Sequence, residues 1–386
     1  MNVLVVTRDF PPRINGGLST AVGAEVNGLL AAGIHCTVVS FDAWRPCCGT
    51  PGPSICPQIF DFADRHLRVI RVSSPDELER ATSLAIESNP YIVHLHQSML
   101  LDFATKVAAD SVPVVKTLHL MHRHMNRQRR IDETSSSIAQ DRAIDRCDAL
   151  IVLSSAQREV LFADYPRAVS RAVLVGPCVP DTTTAAAARW PRTRGVAINA
   201  GRFGDVKATE AMFQIALGLI DRSDSFRVVV AGGLPDSPPS ERRYKRKFAA
   251  TAAGRETSRI EFVGWLPPDE LGIQMSRASV YLCPSRFETF GLAPAEAMLH
   301  RTPVVGFRCG GLQDFVIDGV NGVLLEPGDI DGLVDAAATL MVDPATCERL
   351  GAAARTRILN EFGVSSHTAA LTELYRSLID NRIRRT

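Results

Sequence analysis

Ser279–Met298 reads SVYLCPSRFETFGLAPAEAM. A short apolar run stops at Pro284, a polar turn carries Arg286 and Glu288, and Phe290-Gly291-Leu292 opens a helix that contains Glu296. Strand, turn and helix in this order make one βα unit. The near-continuous apolar character of the strand is that of a parallel strand covered on both faces. The same rhythm runs outward in both directions. Val196–Ala200, Arg227–Ala231, Arg259–Val263 and Pro303–Phe307 read as strands, with helices at Lys207–Ile220, Pro268–Arg277 and Gly291–His300. Nearer the N-terminus, Val3–Thr7, Thr37–Phe41, Arg68–Val72, Tyr91–Leu95, Pro113–Leu118 and Ala149–Leu153 read as strands, alternating with helices such as Ser19–Ala32, Asp76–Ser88 and Asp132–Arg146. Such alternation predicts doubly wound parallel sheets. It lapses over Pro177–Arg194, where VPDTTTAAAARWPRTR reads as a connection. Two α/β domains are therefore expected. Ligands of such sheets bind beyond the carboxyl ends of the strands, so both domains should face one cleft.

Length and charge agree with this division. A chain of 386 residues exceeds one ordinary core. Lys+Arg total 43 against 42 Asp+Glu, a formal net charge of +1, which gives no electrostatic case for a nucleic-acid partner. No apolar run reaches the ~18 residues of a membrane span, and MNVLVVTRDF reads as a first strand rather than a signal peptide. The nine cysteines form no CxxC pair, which suggests reduced thiols in a cytoplasmic protein. Asp42–Arg65, rich in Pro, Gly and Cys, is too long for a simple connection and is a candidate functional loop.

Three strings carry chemistry. In Pro284–Met298, Gly291 lets a ligand approach the backbone at a helix N-terminus, whose free N–H groups suit a phosphate. Glu288 and Glu296 can accept hydrogen bonds from sugar hydroxyls on either side of it; the plainer account makes Glu288 a cap and Glu296 a solvated helix residue. In AGRFGDVKATE, Ala200–Glu210, Arg202 and Lys207 follow a strand and could clamp a diphosphate as charge grows on a leaving group. In DFPPRINGGLSTA, Asp9–Ala21, Gly16-Gly17 with Ser19 and Thr20 gives a turn into a capped helix. The string is not GxGxxG, so a dinucleotide site is not supported.

Together these strings resemble the retaining nucleotide-sugar glycosyltransferases of GT-B fold, specifically the glycogen-synthase-like family 4. FVGWLP, TPVVGF and CGGLQDFVIDGVNGVLLEPGD follow in the family's order, and Thr117-Leu118-His119 and CDALIVLSS are similar to family features. The resemblance implies two Rossmann-like domains. Residues 1–177 would bind the acceptor and receive a crossing C-terminal helix at 364–386, and residues 178–363 would bind the donor. It places Arg202 and Lys207 on the donor diphosphate, Glu288 on the hexose and Glu296 on the ribose. The backbone of Phe290-Gly291-Leu292 would meet hexose and phosphates, and the backbone near Trp265-Leu266 the base. Gly16 and Gly17 would lie near the diphosphate, and His119 near the transferred sugar. Three departures stand out: Arg301 where a Gly is frequent, Ala208 where a Gly often follows the Lys with little consequence expected, and Asp314 for a frequent Glu.

Other signals point elsewhere. Asp329-Ile330-Asp331 is a DxD, but it follows Pro327-Gly328 and opens a helix, so capping is the better account. The resemblance implies transfer without a metal, and no cofactor beyond the donor. His94 reads as structural, His96 as a lining of the acceptor side. His119–Arg130 could meet an acidic acceptor or an anionic surface, though a solvated loop is commoner; the basic cluster Arg242–Lys247 reads as a solvated helix face. The expected reaction is retaining transfer of a hexosyl unit from an NDP-sugar, with UDP favoured, to a hydroxyl of a small-molecule acceptor. An aminocyclitol antibiotic pathway is one candidate setting. A lipid or polysaccharide acceptor, a phosphorylase, hydrolase or epimerase on the same fold, and a non-catalytic NDP-sugar binder are the alternatives.

Overall fold

The computed structural model describes residues 1–13, 17–41, 58–62, 66–129, 131–183, 192–233 and 238–384. It divides into two compact units, Met1–Pro180 with Val364–Thr386, and Asp181–Gly363.

The first unit is built on an eight-stranded sheet. Its strands are β1 Asn2–Thr7, β2 His35–Ser40, β3 Gln58–Phe62, β4 Leu67–Arg71, β5 Ile92–Leu95, β6 Val114–Thr117, β7 Ala149–Val152 and β8 Ala172–Leu174. The order is β3-β4-β2-β1-β5-β6-β7-β8, and only β3 runs antiparallel. The direction of winding reverses between β1 and β5, the crevice where doubly wound sheets bind ligands. Val3 to Val6 are fully buried, as a parallel strand covered on both faces requires. Helix α1, Gly17–Ala31, follows β1; α2 is Leu78–Glu87, α3 Leu101–Ala108, α4 His122–Arg129, α5 Ser135–Arg146 and α6 Ser155–Asp164. Thr134 and Ser137 form a capping box on α5, and Ser154 caps α6. The C-terminal helix Val364–Ile383 packs on α1 within this unit. Gly28 permits that approach, since a Cβ there would stand 2.2 Å from Thr368 Oγ1 and 2.8 Å from Val364 Cγ1.

The second unit holds a six-stranded, wholly parallel sheet of order β11-β10-β9-β12-β13-β14. Here β9 is Val196–Gly201, β10 Arg227–Gly232, β11 Ile260–Gly264, β12 Val280–Cys283, β13 Val304–Phe307 and β14 Gly322–Leu325. Its switch point lies between β9 and β12. Helix α7 is Thr209–Arg222, α8 Pro238–Ala252, α9 Pro268–Arg277, α10 Leu292–Leu299, α11 Leu312–Phe315, α12 Ile330–Val342, α13 Pro344–Phe362, and the C-terminal helix is α14. Phe213 of α7 anchors the core on one face, edge-on to Phe248 and Phe262.

Several expectations change. β3, β8 and β14 are additional strands, each short or interrupted by charge. Ser19 and Thr20 lie inside the first turn of α1, so neither is its cap. The segment after His119 is a helix, α4, rather than a loop; Arg123 pairs with Asp141 at 2.5 Å, and Arg127 with Asp164. Asp329 does cap α12, accepting from Gly332 N at 2.9 Å. Arg301 adopts φ 61°, which explains why a glycine suits its position; its Nη1 pairs with Glu348 at 3.1 Å. Gly16, Cys47, Cys48, Cys56, Arg130 and most of the Asp42–Arg65 loop lie outside the described residues.

Candidate active site

The carboxyl ends of β9 and β12 bring the two strongest sequence strings together. Beyond β9, the turn from Arg202 to Lys207 is closed by Thr209, whose Oγ1 accepts from Gly204 N at 2.9 Å. Ala208 has φ 48° and ψ 47°, a left-handed conformation that ends the turn and starts α7. Beyond β12, Arg286 N donates to Val206 O at 2.9 Å, which ties one turn to the other. Lys207 Nζ therefore reaches both oxygens of Glu288, at 2.6 and 2.7 Å.

Glu288 is buried and is held on every side. Ser285 Oγ donates to its Oε1 at 2.7 Å, and Gly311 N donates to its carbonyl at 2.8 Å. Gly310 makes that backbone contact possible: at φ 47°, a Cβ on it would stand 2.0 Å from Glu288 O. Burial by itself would lower the pKa of Lys207, but the Glu288 carboxylate outweighs it and holds the ammonium above its ordinary value. Arg202 is exposed, has no ion-pair partner among the described residues, and lies near enough to Lys207 for the two charges to repel. This end of the sheet thus offers an anion two cations, one of them already paired to a carboxylate.

The third element is the N-terminus of α10. Gly291 supplies its first turn at φ 112° and ψ 63°, a conformation that favours glycine, and Phe290 is anchored against Phe315 and Phe362 at ring distances of 4.6 and 5.0 Å. Glu288 is not the cap of this helix; its carboxylate is committed to Lys207 and Ser285. Glu296, one turn inside, is half-buried, and burial pushes its pKa up to about 7. It is not a simple solvated helix residue. Trp265 and Leu266 follow β11, with Trp265 exposed.

In the first unit, His119 follows β6 and is half-buried. Two buried glutamines fix its segment. Gln157 Nε2 donates to Leu118 O, Gln140 Nε2 donates to Leu120 O at 2.5 Å, and Gln140 Oε1 accepts from His122 N at 2.8 Å. His119 Nε2 lies 3.0 Å from His96 Nδ1. Burial, then the charges of His96 and Lys116, holds the pKa of His119 well below its ordinary value, so the ring is neutral at pH 7. Lys116 is itself buried, donating to the carbonyls of His96 at 3.0 Å and Thr117 at 2.5 Å, and burial lowers its pKa to about 7. Gly17 opens α1 and is exposed.

The sequence strings did not single out Ser285, Gly310, Gln140 or Gln157. Ser285 lies within PSRFE and Gly310 within CGGLQ, but a hydroxyl or glycine gains meaning only once the β12 and β13 turns are adjacent. The two glutamines lie in helices whose pattern gives no reason to bury them. No described helix is long and apolar enough to cross a membrane.

Comparison with known proteins agrees with this geometry. The family model for glycosyl transferases group 1 matches residues 181–357, and that for glycosyltransferase family 4 matches residues 15–182. Glycogen synthase of Mycobacterium tuberculosis is 25% identical over 405 residues, 97% of this chain and 94% of that protein. D-inositol 3-phosphate glycosyltransferase of Corynebacterium glutamicum is 28% identical over 289 residues, 70% of this chain and 68% of that protein. The crystal structure of Anabaena Alr3699/HepE in complex with UDP and glucose superposes with a TM-score of 0.73 at 18% identity, covering 98% of this chain and 100% of the other. With a Rossmann-type switch point in each of two α/β units, and Lys207 and Glu288 joined at the second, this chain belongs to the family 4 glycosyltransferases of GT-B fold, NDP-sugar-dependent enzymes.

Proposed function

We propose that the enzyme transfers a hexosyl unit from a UDP-sugar, with retention at the anomeric carbon, to a hydroxyl of a cyclitol-like small molecule. The observation that carries this reading is the Lys207–Glu288 pair beside Arg202 and the N-terminus of α10. A diphosphate would draw on Lys207, Arg202 and the backbone N–H groups of α10. Glu288, fixed by Ser285 and Gly311, would accept hydrogen bonds from hexose hydroxyls, and Glu296 from the ribose. The base would lie against the backbone at Trp265-Leu266; by the family resemblance, Gly17 and His119 are the first unit's candidates for the diphosphate and the transferred sugar.

In the step itself, the bond from the anomeric carbon to the leaving phosphate oxygen breaks as the acceptor oxygen bonds to the same face of that carbon. The acceptor proton passes to the leaving phosphate. Arg202 and Lys207 stabilise charge that is greater in the transition state than in the bound donor. Ser285 and Lys207 hold the Glu288 carboxylate and Gly311 holds its backbone carbonyl, so the carboxylate acts as a hydroxyl acceptor of fixed position. No metal is required at the diphosphate in this scheme.

UDP is favoured because the similar Anabaena structure is a complex with UDP and glucose. A cyclitol acceptor is favoured because the corynebacterial relative's name specifies an inositol phosphate. An aminocyclitol pathway would fit the same acceptor chemistry; a lipid or polysaccharide acceptor is the second reading, favoured by the glycogen synthase relative. Incubation of the purified chain with UDP-, GDP-, dTDP- and ADP-hexoses and a panel of cyclitols, followed by NMR of the product, tests the proposal. An axial linkage to a cyclitol hydroxyl from a UDP-α-hexose supports it. An equatorial linkage, or consumption of donor without any acceptor, defeats it.

A further inference from the structure

We propose that Glu25, His94 and His96 form a binding site for one divalent transition metal of the zinc class, inside the first unit. Glu25 lies midway along α1; His94 is on β5 and His96 directly follows it, two residues on and so on the same face. All three are buried, with relative exposures of 4%, 0% and 2%. Glu25 Oε1 is 3.1 Å from His94 Nδ1 and 3.2 Å from His96 Nε2, and the three ligand atoms lie within 4.8 Å of one another. Ligands held about 2.0–2.1 Å from a tetrahedral metal stand about 3.3 Å apart, close to the two separations observed.

Two further observations point to a cation. Glu25 Oε1 and His96 Nε2 are buried atoms with no hydrogen-bond partner, although they lie only 3.2 Å apart. The ring N–H does not align on the oxygen, so the protein's own donors leave both atoms unsatisfied, which is costly for buried polar groups. One metal ion satisfies both. The outer contacts that orient metal ligands are also in place. His94 Nε2 lies 2.7 Å from Thr117 Oγ1, and His96 Nδ1 lies 3.0 Å from His119 Nε2. Glu25 Oε2 lies 3.0 Å from His367 Nε2, whose Nδ1 lies 2.7 Å from Gly176 O. Tyr375 OH lies 2.6 Å from His94 Nδ1, a hydrogen bond that a metal on Nδ1 would displace. Two imidazoles with a carboxylate oxygen suit zinc or cobalt; calcium and magnesium prefer more oxygen ligands.

The site has a consequence for His119. A metal on His96 Nε2 obliges the ring proton onto Nδ1, which then donates to His119 Nε2 and leaves the His119 proton on its Nδ1. Without the metal no contact obliges that tautomer: with its proton on Nε2, His96 accepts at Nδ1 from His119 Nε2, and His119 Nδ1 is bare. Metal occupancy would thus fix His119 Nδ1 as a donor.

The test uses the full chain, stripped with chelator and titrated with Co2+ alone, read by visible absorption, and with Zn2+ alone, read by X-ray absorption and by 15N shifts of the histidine rings. The expected result is one equivalent of metal in a low-coordinate shell of two imidazoles and oxygen, with the His119 proton moving to Nδ1. Glu25→Gln and His96→Gln should each lose at least about 100-fold in Co2+ affinity while keeping their circular dichroism, and His367→Gln should lose about 10–100-fold. His300→Gln, in the other unit, should bind as the parent does. Absence of stoichiometric binding, sulfur in the shell, or unchanged affinity in the Glu25 and His96 variants overturns the proposal. If those variants fail to fold, the donor set seen in the parent's X-ray absorption spectrum decides. None of these readouts depends on glycosyl transfer.

Discussion

Removal of Lys207 should damage stability more than removal of the carboxylate it pairs with, even with no donor present. The Glu288 side chain is 6% exposed, the Lys207 side chain 34%. In Lys207→Met the buried carboxylate keeps Ser285 as a donor but loses two charge-assisted bonds. Breaking one side of a buried pair costs about 3–5 kcal/mol; because water reaches one third of Lys207, about 2–3 kcal/mol is a better figure. In Glu288→Gln the orphaned group is the ammonium, which can turn to water, so about 1 kcal/mol is expected. The double variant Lys207→Met with Glu288→Gln buries no charge and should recover much of the loss. At about 2–4 °C per kcal/mol for a unit of this size, Lys207→Met should lower the unfolding midpoint by about 4–12 °C. Thermal unfolding of the four proteins, completed as a double-mutant cycle by urea denaturation, measures the coupling directly. Equal losses in the two single variants, or a double variant no better than Lys207→Met, would refute the argument that Glu288 is the committed, buried partner.

Three further outcomes are expected. Ala208→Gly should stabilise the chain by about 1 kcal/mol, since φ 48° is strained for alanine and free for glycine; a denaturant midpoint at or below the parent's would contradict this. Glu296 has a folded pKa of about 7 against an ordinary 4.5, so the folded state binds more protons between those values and stability falls as pH rises through that window. Glu296→Gln should flatten this decline and raise the midpoint more at pH 8 than at pH 5; an unchanged pH profile would show the carboxyl to be ordinary. Gly310→Ala should cost about 2–4 kcal/mol and weaken nucleotide binding through displacement of Glu288, and retention of both properties would remove Gly310 from the site.

The doubly wound fold was legible because parallel strands buried on both faces must read as short apolar runs, as Val3–Thr7 and Val280–Cys283 do. β3 and β8 were not, because edge strands such as Gln58–Phe62 and Ala172–Leu174 need no such pattern. Lys207 and Glu288 were legible as candidates, each just past a strand end; their mutual contact was not, since β9 and β12 become neighbours only through the reversal of winding. Ala208 shows a different limit. Sequence shows only a methyl where a hydrogen is frequent, whereas the left-handed backbone on which that methyl sits is visible only in three dimensions. Glu25 and His367 could not be found at all: each sits alone on a helix, 342 residues apart in sequence, and only the packing of α14 on α1 joins them.

Binding of a nucleoside diphosphate by Arg202 and Lys207 beside Glu288 is read by calorimetric titration of UDP, GDP, dTDP, ADP and NAD into the parent and into Arg202→Ala with Lys207→Ala. The expected result is one-site binding of UDP by the parent, abolished in the double variant, with NAD inert; the proposed donor site fails otherwise. Binding of NAD, binding of no nucleoside diphosphate, or full UDP affinity in the double variant would contradict it.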